Sequence, residues 1–131
     1  ILGTIEAVLG GIAAISLIVA GVGIINTMTI SVMERTREIG ILKAIGGKSR
    51  DVLYLFLSEA TITGVIGGIL GAALGFVLGR IVGDYIGLPV STSPVLGLAV
   101  VSFAMVTAVL AGLYPAWRAA GMNPVDALRY E

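Results

Sequence analysis

Three long stretches of this 131-residue chain carry no charge at all: Ala7–Met33, Ala60–Gly79 and Tyr85–Trp117. At about 1.5 Å of rise per residue, a helix of any of these lengths crosses the roughly 30 Å hydrocarbon core of a bilayer. Three transmembrane helices are therefore expected, over about 9–32, 55–82 and 94–114, in an all-α integral membrane fold. Composition agrees: 57% of the residues are hydrophobic and 12% charged, with a mean hydropathy of +1.06. Soluble domains carry about a quarter charged residues.

Between the first two stretches lies a charged island, Met33 to Tyr54, which holds five of the eight basic residues: Arg35, Arg37, Lys43, Lys48 and Arg50. The tail adds Arg118 and Arg129, the second connection has Arg80, and Ile1–Val8 has none. Lys and Arg favour the cytoplasmic side. The island and the C-terminus are accordingly expected inside, with Ile1 and the loop near Gly87–Pro94 outside. Signal peptides open with a basic region that Ile1–Val8 lacks. The absence of an initiating Met suggests a piece of something longer.

The island itself reads as a helix over 34–45, stopped by Gly46-Gly47, followed by a helix that starts amphipathic at Ser49 and runs into the membrane to about residue 82. Ser49 is a candidate cap, with Asp51 in the first turn. On a helical wheel Ile41, Leu42 and Ile45 share a side expected to face the membrane or its helices. Thr36, Gly40, Lys43 and Ala44 share the other, which small Gly40 and Ala44 leave flat for another protein. Glu34–Arg37 and Arg35–Glu38 are spaced to pair, each pair contributing only about 0.2–0.5 kcal/mol. A solvated connector that sets topology would need only loose Lys and Arg. A stiff helix joined to two spans is better suited to transmit force.

Within the spans, Gly67, Gly71, Gly75, Gly79, Gly83 and Gly87 fall four apart, and Ala104, Ala108 and Gly112 repeat the spacing in the third span. Such rows let backbones approach closely in lipid. Packing within one chain and packing between two chains both suit the pattern. The polar residues of the spans are Ser16, Asn26, Thr27, Thr29, Thr61, Thr63, Ser102 and Thr107, and Asn26 is the strongest of them. Charged residues keep to the ends, which weakens a proton- or ion-coupled transporter reading. Beyond the third span Pro115 is expected to interrupt the helix, Tyr114 and Trp117 suit the interface, and Gly121 can end a short helix. Asn123-Pro124-Val125-Asp126 reads as the start of a terminal helix reaching Tyr130.

Several chemistries are excluded. With no His and no Cys, thiol catalysis and the usual zinc and haem sites are absent. Without an intramembrane carboxylate pair, a membrane-embedded enzyme is disfavoured. Gly47-Lys48-Ser49 looks like the end of a phosphate loop, but the first glycine such a loop needs would stand at Leu42, and no strand precedes it. Zero net charge argues against nucleic acid as partner.

Two motifs carry a resemblance. The run Glu34-Arg-Thr-Arg-Glu-Ile-Gly-Ile-Leu-Lys-Ala-Ile-Gly46 and the tail Tyr114-Pro-Ala-Trp-Arg-Ala-Ala-Gly-Met-Asn-Pro-Val-Asp-Ala-Leu-Arg129 resemble the permease domain of the FtsX/MacB-like ABC transporter family over essentially the whole chain. The resemblance implies a single permease domain over 1–131: the last three helices of a four-span unit, with a cytoplasmic coupling helix between the first and second. A cytoplasmic tail with a short C-terminal helix occupies 115–131. It also implies that the island docks on a nucleotide-binding ABC ATPase. By match to the family, the contact residues are Glu34, Arg35, Thr36, Arg37, Glu38, Gly40, Ile41, Lys43 and Ala44. Helix packing is assigned to Gly67, Gly71, Gly75, Gly79, Ala104, Ala108 and Gly112. The chain is then no enzyme and binds no cofactor or metal itself, because ATP and magnesium sit in the partner. Homodimers or heterodimers of permeases in the cytoplasmic (inner) membrane are implied, with roles in macrolide or peptide efflux, lipoprotein release, peptide-antibiotic resistance or control of cell-wall hydrolases. The expected function is mechanotransmission: ATP-driven closure of the partner pushes the coupling helix. The alternatives are a permease that conducts substrate past Asn26, Thr27, Thr29 and Ser102, and a self-assembling scaffold or pore without an ATPase.

Overall fold

The computed structural model describes residues 2–87 and 93–128, all of whose regular structure is helical. The order is α1 (Leu2–Glu34), α2 (Thr36–Ala44), α3 (Ser49–Ile86), α4 (Pro94–Ala120) and α5 (Pro124–Leu128). Three of these, α1, α3 and α4, are long and apolar enough to cross a membrane, as the uncharged stretches require. Their apolar side chains are largely exposed: Ile15 is 64% exposed, Leu70 58% and Leu98 70%. Water would not tolerate so much bare hydrocarbon, whereas lipid or a neighbouring helix would.

The chain divides into two compact units, one formed by Ile1–Phe56 with Ala111–Glu131 and the other by Leu57–Leu110. In the second unit the later part of α3 lies antiparallel to the first part of α4. A Cβ built at Gly64 would stand 2.7 Å from Ala108 Cβ and 2.8 Å from Met105 Cα. At Gly68 it would stand 2.9 Å from Val101 Cα and 3.0 Å from Ala104 Cβ, and at Gly97 3.2 Å from the Phe76 ring. Gly64 and Gly68 are thus where the two backbones meet.

The expected glycine row behaves differently. A Cβ at Gly67, Gly71 or Gly75 would meet nothing within 4 Å, while Gly79 is half-buried and Gly83 buried. At 3.6 residues per turn, each four-residue step drifts by about 40° around the helix. A six-member row therefore winds from one face to another and cannot all meet one neighbour.

The first unit gathers the ends of α1, α3 and α4 around α2 and α5. Its core consists of Met28, Val32, Ile39, Val52, Phe56, Ala116, Ala119, Ala120 and Ala127, with Pro115 fully buried beside them. Here the sequence expectation needs correction, because Pro115 does not interrupt the third span. It lies inside α4, which continues to Ala120. A proline removes one helical hydrogen bond, but the turn beyond it buries Ala116, Ala119 and Ala120, and that packing holds the helix together. The terminal helix is described as far as Leu128; the residues expected to carry it to Tyr130 lie outside the described ones. The loop expected outside the membrane likewise falls mostly on residues 88–92, also outside them.

Candidate docking site

The island folds into a short rod with almost no slack at either end. At its start only Arg35 separates α1 from α2, and helical hydrogen bonding runs through it: Arg35 N–H donates to Ser31 O at 3.1 Å and Ile39 N–H to Arg35 O at 3.0 Å. The Thr36 hydroxyl lies 2.9 Å from both Val32 O and Met33 O, bracing the junction. At its far end Gly46 has φ +101°, its N–H donating to Lys43 O at 3.1 Å while Gly47 N–H donates to Leu42 O at 2.9 Å. These two bonds form a Schellman stop, in which the left-handed residue is normally glycine. Gly47 is required for another reason, since a Cβ there would stand 2.6 Å from Leu42 O.

Three residues after Gly46, α3 has begun. Ser49 is not the residue before it, as the cap expectation requires, but already its first residue, and Asp51 reaches back to accept from Lys48 N–H at 2.9 Å. The carboxylate also sits at the positive end of the helix dipole.

The wheel expectation for α2 is corrected on the side of Thr36, Gly40 and Lys43, which is covered rather than left flat for another protein. Ile39 and Gly40 are its buried residues, while Ile41 is 47% exposed and Ile45, just past its end, 79%. Two neighbours cover α2. The start of α3 places Val52, Leu55 and Phe56 around a cleft shared with Ile39 and Leu42. The tail helix α5 packs on α2. Thr36 shares a cleft with Gly121, Met122, Asn123, Asp126 and Ala127. Gly40 shares that side with Thr36 and Lys43 and is buried.

The residues assigned to partner contact therefore separate into two groups. Arg37, Glu38, Ile41 and Ala44 are exposed and share the outward side with Ile45; Glu34 and Arg35 are exposed at the junction. Gly40 is buried, Thr36 half-buried, and Lys43 turned inward. The Lys43 ammonium donates to Ala120 O at 2.5 Å and to Met122 O at 2.7 Å. Sequence reasoning missed this link because nothing in the local pattern pairs residues 77 positions apart. It also missed a cleft of about 230 Å³ lined by Thr29, Val32, Met33, Pro115 and Arg118, where the end of α1 faces the end of α4.

Most hydroxyls within the spans bond to their own helix, while Ser102 is exposed on α4. Ser16, Thr27, Thr29, Thr61, Thr63 and Thr107 each donate to the carbonyl four residues earlier, at 2.6–2.9 Å. Asn26 is exposed on α1. Among the described residues no polar or charged side chain is buried.

Comparison with known proteins adds a consistent picture. The FtsX-like permease C-terminal family matches residues 10–124. The macrolide export ATP-binding/permease protein MacB of Bdellovibrio bacteriovorus is 42% identical over 128 residues, covering 98% of this chain and 20% of that protein. The ABC transporter permease YvrN of Bacillus subtilis is 46% identical over 125 residues, covering 94% of this chain and 30% of that protein. The pyoverdine export ATP-binding/permease protein PvdT of Pseudomonas fluorescens is 43% identical over 129 residues, covering 98% and 19%. The chain thus spans between about a fifth and a third of the length of these relatives.

Proposed function

The chain belongs to the FtsX-like permease C-terminal family, and from that membership in an ABC transporter permease lineage we propose that α2 is the lever through which ATP hydrolysis in a nucleotide-binding partner moves the membrane spans. The observation that carries the proposal is mechanical. A nine-residue helix is joined to α1 through one hydrogen-bonded residue and to α3 through four residues, Ile45 to Lys48, braced by the bonds of the Gly46-Gly47 stop. A push on such a rod meets short, hydrogen-bonded joints at both ends, so it passes to both spans.

In this reading α2 and α5 face the cytoplasm at the inner membrane, and the ATPase seats on Arg37, Glu38, Ile41, Ala44 and Ile45. Two exposed isoleucines flanked by charges suit a protein contact, with an apolar centre and a polar rim. ATP and magnesium are held by the partner, fused or separate, and this chain catalyses nothing. The relatives named for macrolide and pyoverdine export support an export role. That most span hydroxyls, Thr27 and Thr29 among them, bond to their own helix supports transmission of motion over conduction of a polar substrate between these spans.

The test replaces Ile41 and Ile45 by Glu in the full-length transporter. Co-purified ATPase is expected to fall at least tenfold, with membrane insertion unchanged. Full recovery of the ATPase with the double variant would overturn the reading.

A further inference from the structure

Lys43 is the one basic residue of α2 that the docking face leaves unused. Its ammonium is directed away from that face, onto the carbonyls of Ala120 and Met122. Ala120 is the last residue of α4, where the final carbonyls of a helix lack partners within it and carry the negative end of its dipole. The chain there is folded back on itself, with Gly121 N–H donating to Trp117 O at 3.1 Å and Met122 N–H to Ala119 O at 3.2 Å. Those bonds leave Ala120 O and Met122 O to be collected by one cation. A charge-assisted pair of this kind is stronger than neutral hydrogen bonds.

Besides its packing on α5, the rod is therefore attached at three points. Covalent connections tie it to α1 and α3, and Lys43 ties it to the end of α4 and the turn into α5. We propose that Lys43 is a positioning residue that passes displacement of α2 to α4, so that the third span follows the lever although no backbone joins them directly. This inference rests on the reading of α2 as the ATPase-docked lever. It gives the two sides of α2 different work, since the outward side receives force and the Gly40–Lys43 side hands it on.

The experiment uses the full-length transporter with its ATPase partner and two fluorescent reporters, placed singly at Met33→Cys on α1 and Tyr114→Cys on α4; both positions are exposed, at 65% and 59%. In the parent both reporters are expected to shift on nucleotide addition. Lys43→Met, similar in reach but uncharged, is expected to keep the partner bound and the α1 shift within twofold while reducing the α4 shift at least fivefold. Lys43→Arg, which can donate to the same carbonyls, is expected to restore it. A residue needed only for stability would dim both reporters together. Should Lys43→Met fail to insert, Lys43→Gln is read in the same way. An undiminished α4 shift in the uncharged variant overturns this inference alone. Loss of the partner from the uncharged variant, making Lys43 a contact, also overturns it. Absence of any α1 shift in the parent overturns the lever reading and this inference with it.

Discussion

Gly64 lies directly against Ala108, so close that a single added methyl would stand 2.7 Å from its Cβ. Because Met105 Cα is 2.8 Å away on the same side, backbone as well as side chain blocks the space. Gly64→Ala is therefore expected to loosen the α3–α4 pair by about 1–3 kcal/mol, the usual penalty for overpacking. Gly67→Ala, with open surroundings, is expected to leave it unchanged. Unfolding of the two variants in mixed detergent micelles, followed by circular dichroism, separates them. Equal midpoints would mean that the two helices do not meet at Gly64.

The stop between α2 and α3 supplies a second prediction. Gly47→Ala forces a methyl onto Leu42 O, and the main chain must move to make room. About 1–3 kcal/mol of strain is expected, in line with other backbone conformations held against their preference. Amide hydrogen exchange at Gly46 and at residue 47 should accelerate at least fivefold, while amides in the middle of α3 stay protected. Unchanged exchange would show that the stop tolerates a side chain.

The hydroxyls of the spans yield a third. Thr27 and Thr107 each return their proton to their own helix, to Gly23 O and Phe103 O at 2.9 Å. Thr27→Val and Thr107→Val are then expected to leave transport of the full protein's substrate within twofold, measured as uptake into inverted vesicles. A tenfold loss in either would reveal a polar path along these helices and favour conduction over transmitted motion.

What the sequence disclosed, and what it concealed, follows the physics of each signal. The three spans were legible because a bilayer demands about 20 apolar residues whatever the neighbours are, and the Gly46-Gly47 stop because a left-handed residue leaves a compositional mark. The orientation of α2 was not. The side of Thr36, Gly40 and Lys43 reads as open to another protein, but the tail covers it through partners such as Met122, 79 positions from Lys43, which a local pattern does not announce. The extension of α4 past Pro115 was hidden by a correct local rule, which the burial of Ala116, Ala119 and Ala120 overrides. The α3–α4 contact was obscured by abundance: with so many glycines in one helix, spacing alone could not tell Gly64 and Gly68 from Gly67 and Gly71.

The single-residue junction at Arg35 has a last consequence. With Arg35 N–H bonded back to Ser31 O and Ile39 N–H to Arg35 O, the angular phase of α2 is tied to the span before it through one turn residue. Inserting or deleting one residue there would spin everything downstream by about 100°, swapping the surface offered to a visitor for the surface glued to the tail. The joint can accept a change of chemistry, but not a change of length.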